Sequence, residues 1–449
     1  MHSCVIRRLP AVLLVPVVVM GTWATATRSV GAAQPAGQPA TNTAAAADKE
    51  LEVASAKARE GKIEEAFSII KEKAAKHPEW PPVRLILARL LFNANQGVLA
   101  RHSLEQAAAE APDDPDVYMT LGGIALGEGR ISDARLNFDQ VLSNIASGHW
   151  NVEKATILRR EAFSGLATVA EAREDWRGTQ ERLNACLSLE PKNGRVRQRL
   201  GRALFQLGKP DDAFAAFTQA VKDEPTLEPA AVSMALLQSR KGDFKKAEEW
   251  FDHARKLEPN SARVRLDHAR WLLDQGRASE ARAEIDQALK LDPAAKEAQK
   301  IQALIAWHLR NLAAAETILE PLHRDAPADF AVGNLLALAL IEQDDAAKQS
   351  RGLQLADVNA LQAPRSAEVV ATLGWALYRA GKLDEAEQKL RAAVTSGRTT
   401  PDIAYFLARV LVDKTKTDDA RKLLQSATNL PGAFAHRDDA NLLLKKLTK

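Results

Sequence analysis

The sequence predicts an all-α chain made by repeating one short helix–turn–helix unit, a solenoid, and three regularities predict it. Prolines that follow an acidic or polar helix end recur at a fixed interval. Pro191, Pro225, Pro259, Pro293 and Pro327 are each 34 residues apart, as are Pro78 and Pro112. Between them, always in the same phase, stand "GKIEEA", "GRISDA", "GKPDDA", "GDFKKA", "GRASEA" and "GKLDEA". Finally, one position in every interval holds only Ala or Gly. A self-similar period of this length marks an array in which each unit packs on its neighbours.

In chain order, the first residues read as an export signal. Arg7 and Arg8 precede an apolar stretch from Leu9 to Met20, and small residues follow, so cleavage after Ala26 or Ala33 fits a small-x-small rule. As a membrane anchor the stretch is short of the ~20 residues a helical span needs, and Pro10 and Pro16 weaken it further. Residues 1–33 are therefore expected to be a signal peptide, with an uncleaved anchor as the alternative and the one route to a membrane. Residues 34–46 are an Ala/Pro-rich tether without apolar periodicity, expected to be disordered. Residues 47–434 are the array, and 435–449 a polar-faced closing helix.

Eleven units start at about residues 47, 81, 115, 160, 194, 228, 262, 296, 330, 367 and 401. In the six units that carry those Gly motifs, the Gly is expected to end the first helix in the left-handed conformation, and the polar residues after it to cap the second. Pro210 suits a first helical turn, where its missing N–H costs little. Two departures break the phase: about eleven extra residues at His149–Arg159, expected to lengthen a helix, and three more near Gln343–Ser350.

The packing columns give the reason for the period. The eighth place of the units is always Ala or Gly, as in Ala54, Gly122, Gly201, Ala269 and Gly374, whereas the ninth varies from Ser55 to Arg202 and Trp375. Adjacent columns differ by about 100° around a helix, so the eighth faces a close neighbour and the ninth does not. The twentieth place is likewise small, and four residues later comes a bulky plug such as Phe138, Phe217, Phe251 or Leu390. That i, i+4 spacing puts both on one stripe. A single unit of 34 ordered residues would lose roughly 50 kcal/mol of conformational entropy at about 1.5 per residue, more than two short helices can offset alone. Stacking must supply the rest.

This 34-residue unit, with small residues at its eighth and twentieth places and Pro near its end, resembles the tetratricopeptide repeat (TPR). The resemblance covers residues 47–449 and implies a right-handed superhelical solenoid of about eleven units with a C-terminal capping helix. It further implies a groove lined by the first helices, whose second, fifth, ninth, twelfth and thirteenth places reach a ligand. The ninth place carries Arg89, Arg202, Arg270 and Arg409, and at or near groove-facing places lie Phe92, Phe205, Trp307, Trp375, Tyr378 and Tyr405. Arginine with exposed aromatics is a composition typical of interface anchors, so these ten residues are the expected partner-binding set. The alternative leaves Phe92 and Phe205 packed between units and the arginines as solubilising charges. The acidic second places, Asp402 among them, are explained by helix-start preference alone. The Lys/Asn constellation of chaperone-clamping members is absent: Leu85, Met119, Ser164 and Gln198 stand there.

Composition narrows the function. The formal charge of +3 comes from Arg7, Arg8 and Arg28, within a first 30 residues that hold no Asp or Glu, so the rest of the chain is balanced and a nucleic-acid partner is not expected. The nine His are scattered, with no H-x-x-x-H or H-E-x-x-H pair. His253 and His268 read as satisfied helix residues. Cys186 sits where other units have Ala and reads as a buried small residue rather than a nucleophile. No Walker loop, dinucleotide Gly pattern or nucleophile elbow is found, so no catalytic residue, metal or cofactor is expected. The expectation is an exported, extracytoplasmic, periplasmic-type scaffold that binds a protein or extended peptide. It would serve envelope assembly, polysaccharide export or secretion. A glycan-binding or glycosyltransferase-accessory subunit and a periplasmic holdase are the alternatives.

Overall fold

The computed structural model describes residues 51–77, 79–148, 150–396, 399–430 and 432–448. The expected signal peptide and tether lie outside them. Among the described residues there are 23 helices and no strand, and no helix is long and apolar enough to cross a membrane. They form two compact bodies that divide after Gln238.

The N-terminal body stacks five helix pairs: α1 (Glu52–Arg59) with α2 (Ile63–Ala74), α3 (Val83–Asn93) with α4 (Gly97–Glu110), α5 (Pro115–Gly127) with α6 (Ile131–Ser147), α7 (Val152–Ala172) with α8 (Trp176–Leu189), and α9 (Gly194–Gln206) with α10 (Pro210–Asp223). The division falls within α11 (Ala230–Arg240). The C-terminal body continues with α12 (Phe244–Leu257), α13 (Ala262–Asp274) with α14 (Ala278–Leu291), and α15 (Lys296–His308) with α16 (Leu312–Asp325). Next come α17 (Phe330–Ile341) with α18 (Ala346–Gln362), α19 (Ala367–Arg379) with α20 (Leu383–Thr395), and α21 (Pro401–Asp413) with α22 (Thr417–Asn429). The closing helix is α23 (Arg437–Leu447), which packs on α22. It starts two residues later than expected, so Ala435 and His436 precede it.

Both insertions are absorbed by helices. Most of the extra residues before Arg159 enter α7, which reaches 21 residues. The three extra residues of the ninth unit lengthen α18 to 17 residues, against 14 in α14.

In ten of the eleven units the tight turn uses one residue with positive φ; the ninth turns without one. Gly supplies it at 72–80° in six units, as at Gly208; Asn95, Glu174, Arg310 and Thr415 supply it at 56–61° in four. A side chain there costs roughly 1–2 kcal/mol, so Arg310 in particular occupies a place that most units give to Gly. The expected capping is corrected for five of the six Gly-containing turns. There the residue before the second helix is Lys62, Arg130, Lys209, Arg277 or Lys382, and none makes a side-chain cap. A cation has no lone pair to offer the helix N–H groups. Carboxylates in the first turn, such as Asp211 and Asp212, complement the positive helix end instead. Of these six, only Asp243 caps as expected, accepting from the Lys246 N–H at 3.1 Å; in turns without Gly, Asp175 and Asn311 also cap.

The small columns are buried throughout. A Cβ placed on Gly201 would lie 2.8 Å from the Phe217 ring, and one on Gly122 2.7 Å from the Phe138 ring. Phe217 and Phe251 are almost fully enclosed, each burial contributing about 1.5–3 kcal/mol. Ala269 in α13 has no exposed surface and belongs to this column. Ala269→Trp should therefore lower stability by about 1–3 kcal/mol or more through overpacking, read by denaturant unfolding. Wild-type stability in that variant would contradict the register.

Candidate functional site

In the N-terminal body the ninth places behave as surface. Arg89 is exposed, with a guanidinium nitrogen 3.9 Å from Asp116, and Arg202 is exposed on α9. The aromatic residues beside them do not. Phe205 is buried, and Phe92 is half-buried against the clusters that join the first units. Phe92 packs against the clusters of two successive units and Phe205 is enclosed, although the resemblance counts their shared twelfth place as groove-facing. Arg199, unnoticed in the sequence, joins α9 to α7: it donates to Glu171 Oε1 at 3.1 Å, Ser164 Oγ at 3.0 Å and Thr168 Oγ1 at 2.9 Å. Cys186 is buried, and burial pushes its thiol up to about 11, so it is held as a neutral packing group.

In the C-terminal body the expected set is covered. Arg270 is committed to Glu297 at 3.1 Å. Arg409 donates to the Tyr378 hydroxyl at 3.2 Å, and that hydroxyl donates to Asp413 at 2.7 Å. Trp307, Trp375 and Tyr405 are 2%, 5% and 5% exposed. The expectation that they present open aromatic surface is corrected. The physical reason is twofold: the His436 ring, in the short non-helical segment Gly432–His436 before α23, meets all three, and Tyr378 and Phe406 stack on Trp375.

That segment is held by contacts a repeat does not predict. Asp402, at the second place of its unit, accepts from the backbone N–H of Ala435 at 3.3 Å and of His436 at 3.2 Å. It also pairs with His436 Nδ1 at 2.6 Å. On the other side of the imidazole, Nε2 lies 3.1 Å from Glu342 Oε1, and Arg310 reaches both Glu342 and His436. The His436 ring stacks on Tyr405 at 4.8 Å and meets Phe406, Trp307 and Trp375 edge to face. Arg437 ties the loop from behind, donating to the carbonyls of Leu430 and Gly432 at 3.1 Å. At the far end, a Cβ on Gly276 would lie 2.8 Å from the Gly432 carbonyl oxygen.

Burial alone would favour neutral imidazole, but the flanking Asp402 and Glu342 carboxylates outweigh it and raise His436 to about 9. Burial pushes Tyr405 up to about 12 and His308 below its ordinary value, so neither carries charge near neutral pH. Of the residues around this segment, the sequence singles out only Trp307, Trp375 and Tyr405 as binding candidates. It explains Asp402 as a helix start and puts His436 inside the closing helix. The one available signal is "PGAFAH" itself, an aromatic residue and a His outside the period. A second buried histidine, His268, lies 3.3 Å from Glu248 and 3.4 Å from Glu284 within the stack. Neither of its ring nitrogens makes a hydrogen bond among the described residues, so the expected satisfied residue is not what stands there. Among the described residues no group of three or more His, Cys, Asp or Glu is placed to hold a metal.

With helix pairs and turns in place, the comparisons give the class. Tetratricopeptide repeat models match residues 57–118, 170–239, 204–266, 238–305 and 371–434, more than half of the sequence. The chain belongs to the tetratricopeptide repeat family. Over 190 residues, 42% of this chain, it is 25% identical to cellulose synthase operon protein C of Pseudomonas fluorescens (strain SBW25), and it spans 15% of that relative's length. Among solved structures it is similar to a thermophilic TPR protein of Thermus thermophilus, at 20% identity over 42% of this chain and 99% of that one, TM-score 0.36. It is also similar to yeast Tom70, at 16% identity over 89% and 96%, TM-score 0.36.

Because His436 titrates upward from its ordinary value near 6.5, the stability it adds is fully present below that pH and lost as pH climbs through about 9. The charged groups facing it are Asp402, Glu342 and Arg310, with His308 and Tyr405 neutral beside them. Wild type should melt above His436→Gln at pH 7, and the gap should narrow by about pH 10 to what the lost ring packing leaves. A gap independent of pH would contradict a charged imidazole.

Proposed function

We propose that this tetratricopeptide repeat chain is an exported scaffold. It binds a protein or extended peptide on the face built by its first helices, within an envelope-assembly, polysaccharide-export or secretion machine. One observation carries the binding reading: Arg89 and Arg202 hold the same place in two first helices of the N-terminal body, and both are exposed. Arginines presented in this way are common anchors for acidic and polar partner groups. The likeness to a cellulose synthase operon protein supports the polysaccharide-export setting. Export itself is supported by Arg7–Arg8 and the apolar run that follows. The glycan-stacking alternative needs open aromatic faces, and Trp307, Trp375 and Tyr405 are buried.

Once a partner is captured from envelope extract, Arg89→Ala with Arg202→Ala should weaken its binding about tenfold or more while the melting temperature stays near wild type. Equal affinity would place the site elsewhere. Mass spectrometry of the exported protein should find an N-terminus between residues 27 and 34; an intact Met1 in the cytoplasm would contradict export.

A further inference from the structure

The segment Gly432–His436 sits on the first-helix face of the C-terminal body as a peptide ligand would. The residues that hold it occupy places that the resemblance to other tetratricopeptide repeats counts as ligand-facing: Asp402 the second, Tyr405 the fifth, Trp375 the ninth, Trp307 the twelfth and Glu342 the thirteenth of their units. Its backbone N–H groups at Ala435 and His436 are taken by a side-chain carboxylate, not by a helix ladder. We propose that this notch is a peptide-recognition site, closed in the free chain by its own Gly432–His436, and that it accepts from a partner an extended segment with an aromatic side chain and, two residues later, a cationic one. The proposal rests on the reading that first-helix faces bind partners, and it adds the ligand's chemistry.

Charge selects the cation. Without His436 the notch holds two carboxylates, Asp402 and Glu342, and one guanidinium, Arg310, behind aromatic walls. An unpaired buried charge is costly, so the segment leaves readily only in exchange for another cation. Arg310 bears its side chain on a left-handed backbone, at a place where six units have Gly, and that side chain spans Glu342 and His436. The aromatic preference comes from Phe434, which is buried two residues before His436 with its ring 6.5 Å from Tyr405.

The fit of the chain's own segment is incomplete, which leaves room for a better occupant. The indole N–H groups of Trp307 and Trp375 are buried and have no hydrogen-bond acceptor among the described residues. A partner whose carbonyl, amide or hydroxyl groups reach them would gain bonds that Gly432–His436 does not make. It would need that gain, because a tethered competitor acts at millimolar effective concentration. A site open only a fraction of the time binds a rival more weakly by that same fraction.

The test uses the full chain and a peptide of residues 430–437, Leu-Pro-Gly-Ala-Phe-Ala-His-Arg, with blocked ends. Phe434→Ala with His436→Ala in the chain empties the notch. By calorimetry the peptide should bind this variant at least about tenfold more tightly than it binds wild type, as expected on removing an occluding segment. A peptide with His replaced by Ala should lose that binding, and so should the variant carrying Asp402→Asn. Absence of binding to an emptied variant of wild-type helicity, or equal binding by wild type, overturns the proposal. Should the variant lose helicity, hydrogen exchange of wild type decides. Ala435 and His436 amides should exchange well before those of α21, and exchange only at the α21 rate makes the segment fixed core and ends the proposal. None of these results bears on Arg89 and Arg202, whose variants test the partner-binding reading separately.

Discussion

Everything in this chain depends on how closely two helices of a unit approach. Where the first helix presents Ala or Gly at its eighth place, the plug of the second helix comes into direct contact with the backbone. The Phe217 ring under Gly201 shows it most plainly: even one added carbon would fall 2.8 Å from the ring. Interiors pack at crystal-like density, so such a site has no slack. Each pair then offers its outer faces to the next pair, and within each body the stack grows by nearest-neighbour burial rather than around one central core. Charged residues follow the same logic. Glu284 is buried, yet the Arg255, Arg265 and His268 side chains of neighbouring helices overcome that burial and hold its carboxyl at about 2.

This dependence explains what the sequence made legible. A period of 34 residues, read from prolines and small columns, yields the helix pairs and the fate of the first insertion. Steric rules repeat with the unit, and so they can be read by counting. Arg89 and Arg202 are exposed as the counting predicts. The N-caps escape it because a polar residue is not always an acceptor, and Lys62 or Lys209 cannot accept a hydrogen bond.

The candidate site of the C-terminal body was illegible for a related reason. Place-counting identifies which side chains point at the first-helix face but is blind to a non-repeating segment that lies across it. Trp307, Trp375 and Tyr405 do stand at such places, and the His436 ring of Gly432–His436 meets all three. Asp402 looks like any helix-start acid, and only its distance to His436 reveals a different task. The general lesson concerns breaks in period: the residues that end a repeat array are where its sequence stops being structural repetition.

The claim that carries the rest is nearest-neighbour packing through the small column, and hydrogen exchange of Gly201→Leu measures it most directly. The bulkier side chain must displace the Phe217 ring. Amide protection should fall in α9 and α10 and in the adjoining α8, while α19–α22 keep wild-type protection. A uniform loss across all helices, or no loss in α9 and α10, would contradict the account.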